Sequence, residues 1–145
     1  VDLFLKPITI KETFTLKTWS MIWSTYGLYD PSYANQESFG FFVDVGNGWT
    51  TIIPTILFLI GMTKHDLFPT SQIMGILGII KFYQELYGTC IYFLSFFFNG
   101  RDKGKSYFEI GLFVGFSNGL WFVFPIIGMY VCYQLIIHNT YDIFL

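Results

Sequence analysis

The sequence predicts an all-α integral membrane helical bundle. Three transmembrane helices, at about residues 39–62, 72–98 and 107–137, follow an interfacial amphipathic segment. The first observation behind this is compositional: of 145 residues 53% are hydrophobic, 22% aromatic and only 12% charged, against roughly 25% charged in a soluble domain. Eight Lys+Arg and ten Asp+Glu cannot cover a water-facing surface, whereas a lipid-facing one can be left bare. The second is the presence of three apolar runs long enough for the roughly 20 residues that cross a bilayer. The third is the shortness of the polar links, Thr63 to Asp66 and Asn99 to Lys105, which makes sequential helices antiparallel neighbours. A net charge of −2 provides no basic field for nucleic acid, so the partner implied by composition is the bilayer.

The chain divides into an N-terminal lead, 1–38, and a three-helix domain, 39–145. It begins at Val1, which implies that an N-terminal part has been removed, and no signal peptide or basic presequence is legible. From Thr13 to Tyr33, Trp19, Trp23, Tyr26, Tyr29 and Tyr33 alternate with Lys11, Lys17 and Asp30 nearby, the composition of a helix at headgroup level. Connectivity puts this lead on the same side as the second link. That side holds Lys6, Lys11, Lys17, Arg101, Lys103 and Lys105 against Lys64 opposite, and the positive-inside bias turns it to the cytosol or matrix.

Each span carries a polar or small face at about 100° per residue. In the first, Asp44, Asn47 and Thr51 share a sector. In the second, Lys81, Glu85, Thr89 and Tyr92 do. In the third, Gly111, Gly115 and Gly119 form a small-residue stripe beside Asn118. Such faces are expected to turn inward, where glycines let backbones approach and polar groups bond across helices. Pro54 and Pro125 each free a backbone carbonyl near mid-span, tolerated where a neighbouring hydroxyl satisfies it.

The Lys81 and Glu85 pair, four residues apart, either neutralises itself or faces a ligand. Asn118 either bonds across helices or does the same. Asp44 has no basic partner in its own helix, and an intramembrane ionisable group is a functional candidate. His65 and His138 have no second ligand at metal spacing and read as surface residues, Cys90 and Cys132 as buried free thiols. No phosphate loop, nucleophile elbow or metal quartet is present, so neither cofactor nor metal is expected.

The run Glu85-Leu86-Tyr87-Gly88, followed by Ile91-Tyr92-Phe93-Leu94, and the run Phe116 to Pro125 resemble the last two helices of the emopamil-binding protein family. This is the EXPERA superfamily, which includes delta-8 to delta-7 sterol isomerases and the sigma-2 receptor. The pattern Asn118, Trp121, Pro125 is the most specific part. Ile22 to Tyr26, Asp30 to Tyr33 and Phe39 to Asp44 are similar to the approach to that family's third helix. The resemblance covers about residues 20–135.

It implies a five-helix fold with a bilayer-open cavity for a sterol or cationic amphiphile. By position Asp44 replaces an acidic residue, usually Glu, and is the candidate catalytic group. Asn118 and Trp121 match polar and aromatic residues of the last helix, and Asp44, Asn47, Glu85, Tyr87, Asn118 and Trp121 make up the candidate ligand-binding set. Aromatic faces and a carboxylate suit a cation.

The departures point elsewhere. The family's first two helices, with their His and Glu pair, have no counterpart in the chain. Asp44 is a methylene shorter than Glu, a shift of about 1.5 Å, and misplacement near 1 Å costs about a hundredfold in rate. The expectation is therefore a reduced, non-catalytic member. It would act as an accessory or structural subunit whose polar helix faces are covered by other membrane subunits of a larger complex, with a sterol or phospholipid retained. The alternatives are a sterol isomerase seen as a fragment, or a sigma-2-receptor-like binder in which Asp44 or Glu85 pairs with an amine. The resemblance implies the endoplasmic reticulum, and an orphaned subunit fits the mitochondrial inner membrane as well.

Overall fold

A computed structural model describes residues 9–64, 67 and 70–144, without the side chains of Ile10, Ile22 and Trp23. The expectations for Lys6, His65 and the Trp23 side chain lie outside the described residues. Among those described the chain is helical throughout, with no strand. A short turn α1 (Ile10–Thr13) opens on a capping box between Thr9 and Glu12. Then follow α2 (Leu16–Tyr29), capped by Thr15, and α3 (Pro31–Ala34), which has Pro31 in its first turn behind the cap residue Asp30. The three long helices are α4 (Ser38–Thr63), α5 (Ser71–Phe98) and α6 (Tyr107–His138). Their ends fall within one residue of the expected spans. Two of them, α4 and α6, are long and apolar enough to cross a membrane.

The middle helix differs for a physical reason. It carries Lys81, Gln84 and Glu85, and it is the most buried of the three, with Met74 and Phe96 fully enclosed. Its neighbours run antiparallel to it. Asn47 of α4 lies against Gly88 and Phe58 against Gly78, while on the other side Leu135 accepts a hydrogen bond from Ser71 and Trp121 one from Thr89. Because α4 and α6 have little direct contact with each other, the helices form an open V with α5 at its apex.

Close approach occurs at glycines, though not at the expected ones. The stripe Gly111, Gly115 and Gly119 does not mediate helix packing: a Cβ at Gly111 or Gly119 would meet nothing within 4 Å. The cause is a π-helical stretch, Ile110–Phe116, within α6. Its wider turn breaks the 3.6-residue period on which the stripe was read, and directs Ile110 and Val114 to the core instead. The tight glycines are Gly75, whose Cβ would lie 2.6 Å from the Cys132 carbonyl oxygen, Gly78 against Cys132 and Phe58, and Gly128, 2.5 Å from the Phe82 ring.

Pro125 behaves as expected. It frees the carbonyl four residues before it, that of Trp121, and the Thr89 hydroxyl donates to that oxygen at 3.2 Å. Both cysteines are free, with Cys132 fully enclosed, and His138 is exposed at the end of α6.

Gly75→Leu is expected to destabilise the protein by at least the about 1–3 kcal/mol of an overpacked core, because the obstructing atom is backbone. Gly119→Ala should be neutral or stabilising by up to about 1 kcal/mol. Thermal unfolding of the two variants in detergent distinguishes this packing from one along the 111/115/119 stripe, which predicts the reverse order.

Candidate functional site

The lead does not simply lie beside the three-helix domain. Its first part is exposed and apolar, with Phe14, Leu16 and Trp19 open. Its second part turns in at Asp30, which ends α2 and caps α3 in one residue. Two consecutive short helices meeting at an Asp-Pro step leave that carboxylate inside the fold, at 0% exposure.

The carboxylate is held from several elements. Oδ1 accepts from the Ser32 amide at 3.1 Å and the Ser32 hydroxyl at 2.6 Å, and Oδ2 accepts from Tyr92 Oη at 2.7 Å. Arg101 Nε lies 3.7 Å from Oδ1, and Arg101 Nη2 donates to Glu37 Oε2 at 2.8 Å. Lys105 Nζ donates to the carbonyl oxygens of Tyr29 and Arg101. The chain of bonds then continues inward: Tyr26 Oη donates to Tyr92 Oη at 2.5 Å, and Asn118 Nδ2 donates to Tyr26 Oη at 2.8 Å and to the Val114 carbonyl at 2.8 Å. One connected network thus joins the lead, α5, the 99–105 link and α6.

The tyrosines pack as a group. Tyr26 and Tyr33 meet edge-on at 5.3 Å, and Tyr33 and Tyr92 lie 6.0 Å apart. Burial pushes the Tyr26 phenol above its usual pKa, with the charges of Asp30 and Asp44 adding to the shift. The Tyr33 phenol is raised further, again by burial first, then by Tyr26, Asp44 and Asp30.

The expected site residues separate into three groups. Asn118 belongs to the tyrosine cluster by direct bonding, whereas Asp44 makes no bond to it and only adds its charge to the upward shifts of Tyr26 and Tyr33. Glu85 pairs with Lys81 at 2.8 Å, both buried, and Lys81 sits 4.2 Å from the Phe82 ring centroid. That pair neutralises itself. Asn47 fills the α4–α5 contact, accepting from Gln84 at 3.4 Å. Tyr87 and Trp121 point away: both side chains are largely exposed, Tyr87 stacks on Tyr83, and Trp121 contributes only its carbonyl.

Reading spans alone missed Asp30 and Arg101 as a pair 71 residues apart. The signal was present as the Asp-Pro step followed by Ser, an N-cap signature, but nothing local identifies the arginine that meets it. Among the described residues no cluster of three metal-ligating side chains occurs.

An apolar groove of about 590 Å³ lies elsewhere, where the start of α4 meets the end of α5, lined by Phe39, Ile91, Leu94 and Phe98 among others. No family model, curated protein or solved structure matches the chain.

Magnitudes rank the cluster's parts. Removing one partner of a buried pair costs about 3–5 kcal/mol, whereas an exposed pair is worth about 0–1 kcal/mol. Arg101→Gln should therefore destabilise strongly and Glu37→Gln, whose carboxylate is half-exposed, hardly at all. Tyr92→Phe, which takes the donor from Asp30 Oδ2, should cost about 1–3 kcal/mol. Chemical denaturation of the three variants in one detergent checks the order.

The phenols set a pH limit. A phenol with a raised pKa in the folded state keeps its proton where the unfolded chain has lost it, so stability from Tyr26 and Tyr33 is complete below about pH 10 and declines above. Tm measured between pH 8 and 11.5 should fall above pH 10, and Tyr33→Phe should flatten that fall.

Proposed function

We propose that the chain is a membrane-embedded, non-catalytic subunit of a larger membrane assembly, related to the emopamil-binding protein family. The observation that carries the reading is the open V. α4 and α6 pack on α5 with little contact with each other, the lead touches both at one end, and Asp44 of α4 is exposed. Intramembrane polar groups are expensive facing lipid and cheap facing protein, so a covering polypeptide is favoured.

The pairing of the other ions supports the same view. A proton-transfer site needs an acid and a base poised near the substrate. Here Glu85 is bonded to Lys81, and Asp30 to Tyr92 and Ser32 with Arg101 beside it at 3.7 Å, an arrangement suited to holding helices together. The apolar groove beside Phe39 and Phe98 suits an acyl chain or sterol retained at the subunit's edge. The compartment is that of the host assembly.

One observation favours a second reading. Tyr26 and Tyr33 lie within the field of Asp44, and aromatic rings with a carboxylate suit a cationic amphiphile or a sterol carbocation. On that reading the purified chain binds a cationic amphiphile saturably, or converts a delta-8 sterol, and loses this with Asp44→Asn.

Extraction from native membranes in mild detergent separates the two. The subunit reading expects this chain to migrate with other polypeptides in fixed ratio, without sterol turnover. A free monomer carrying saturable amphiphile binding overturns it.

A further inference from the structure

We propose that Asp44 is the docking point for a Lys or Arg side chain on a membrane helix of another polypeptide, seated along α4. The proposal rests on the subunit reading and adds the chemistry of the contact.

Charge complementarity is the starting point. The other carboxylates near these helices have partners within the chain: Glu85 has Lys81 at 2.8 Å, Asp30 and Glu37 share Arg101, and Glu109 accepts from the Tyr29 hydroxyl. Asp44 accepts no hydrogen bond and forms no ion pair among the described residues. Six residues into α4, it lies about 9 Å from the helix start at 1.5 Å per residue, deep enough for an unmatched carboxylate to be costly and close enough to the surface for a long basic side chain to arrive from a tilted neighbour.

The geometry of α4 admits a helix at that point. Gly48, one turn further on and therefore on the same face, is exposed, and a Cβ built there meets nothing within 4 Å. A partner backbone can approach at Gly48 while its basic side chain reaches back one turn to the carboxylate.

Among the described residues, a second copy of this chain offers no free cation inside a long helix. Among the described residues, the one lysine or arginine well inside a long helix is Lys81, which is buried against Glu85. Lys11, Lys17, Lys64 and Lys103 lie in the lead, at a helix end or in a link, and Arg101 and Lys105 are bonded within the chain. The occupant proposed is a different polypeptide with a basic residue inside an apolar span.

The test places a photo-crosslinking aromatic amino acid at Phe41, one turn before Asp44, in the full chain within its native membranes. After irradiation the adduct is digested and sequenced. The proposal expects a peptide from another membrane polypeptide, with Lys or Arg within one turn of the crosslinked position. Asp44→Asn should lower adduct yield by about tenfold or more, and Asp44→Glu should retain most of it. The Tm of each variant in detergent, expected to match that of the parent, separates loss of docking from loss of fold.

Adducts to lipid alone, to this same chain, to a span lacking a basic residue, or undiminished by Asp44→Asn in a variant of parental Tm each overturn the proposal. If the wild-type chain still migrates in a larger assembly in that case, the subunit reading stands without it. If it migrates as a monomer, both fall.

Discussion

A carboxylate without access to solvent has to be matched where it lies, because leaving a buried ion without partners costs several kcal/mol. Asp30 is such a group, and the residues that match it come from parts of the chain that otherwise have little reason to meet. Ser32 belongs to the lead, Tyr92 to α5 and Arg101 to the link before α6. Satisfying this one side chain fixes the angle at which the lead enters, brings the link back over it, and positions Tyr26 so that its hydroxyl reaches Asn118 on α6. The ring stacking of Tyr29 on Phe113, at 4.4 Å and nearly parallel, lies on the same seam. Without the buried carboxylate the lead would keep its apolar contacts, the Tyr26 bonds to Tyr92 and Asn118 and the link's bonds to Tyr29 and Glu37.

The opposite end of the three-helix domain is held by packing instead of charge. There Gly75 and Gly78 let α5 settle onto α6 around Cys132 and Leu135, and Phe58 from α4 completes the contact. Ser71 ties the start of α5 to the end of α6 by donating to the Leu135 carbonyl at 3.1 Å. Dispersion and close approach dominate association where lipid is as apolar as the side chains, so glycine placement decides the geometry at this end and hydrogen bonding decides it at the other. Between the two, Thr89 links both logics: it donates to the Trp121 carbonyl that Pro125 leaves free, so a helix-breaking residue becomes a point of attachment between helices.

How much of this was legible from residues alone depended on the range of the interaction. Helix positions rest on long apolar runs and short polar links, which are local, and they were readable to within a residue. The pairing of Lys81 with Glu85 is an i,i+4 relation and was readable as one of two alternatives. Asn118 was readable as a residue bonding across helices or facing a ligand, without its partner in the lead, and the Asp30–Arg101 pair not at all, because it joins positions 71 residues apart and no local pattern encodes it. Tyr87 and Trp121 show the converse: matching a family pattern by position says nothing about which way a ring turns, and both rings turn outward.

The misplaced glycine stripe has a consequence for Asn118. An α-helical register through 110–116 would carry Gly111, Gly115 and Gly119 along one line and displace the core-facing residues from it. The π-helical stretch widens the turn there, and its strain is met by local bonds from the residues that follow: Ser117 Oγ to the Phe113 carbonyl, and Asn118 Nδ2 to that of Val114. Asn118 therefore has two tasks, steadying the altered turn and anchoring Tyr26 across the helix gap. π-helical turns persist where something compensates for their poorer geometry, and here the compensation is the same buried network that Asp30 requires. The register of α6, the seating of the lead and the outward-facing glycines are thus one solution to a single constraint.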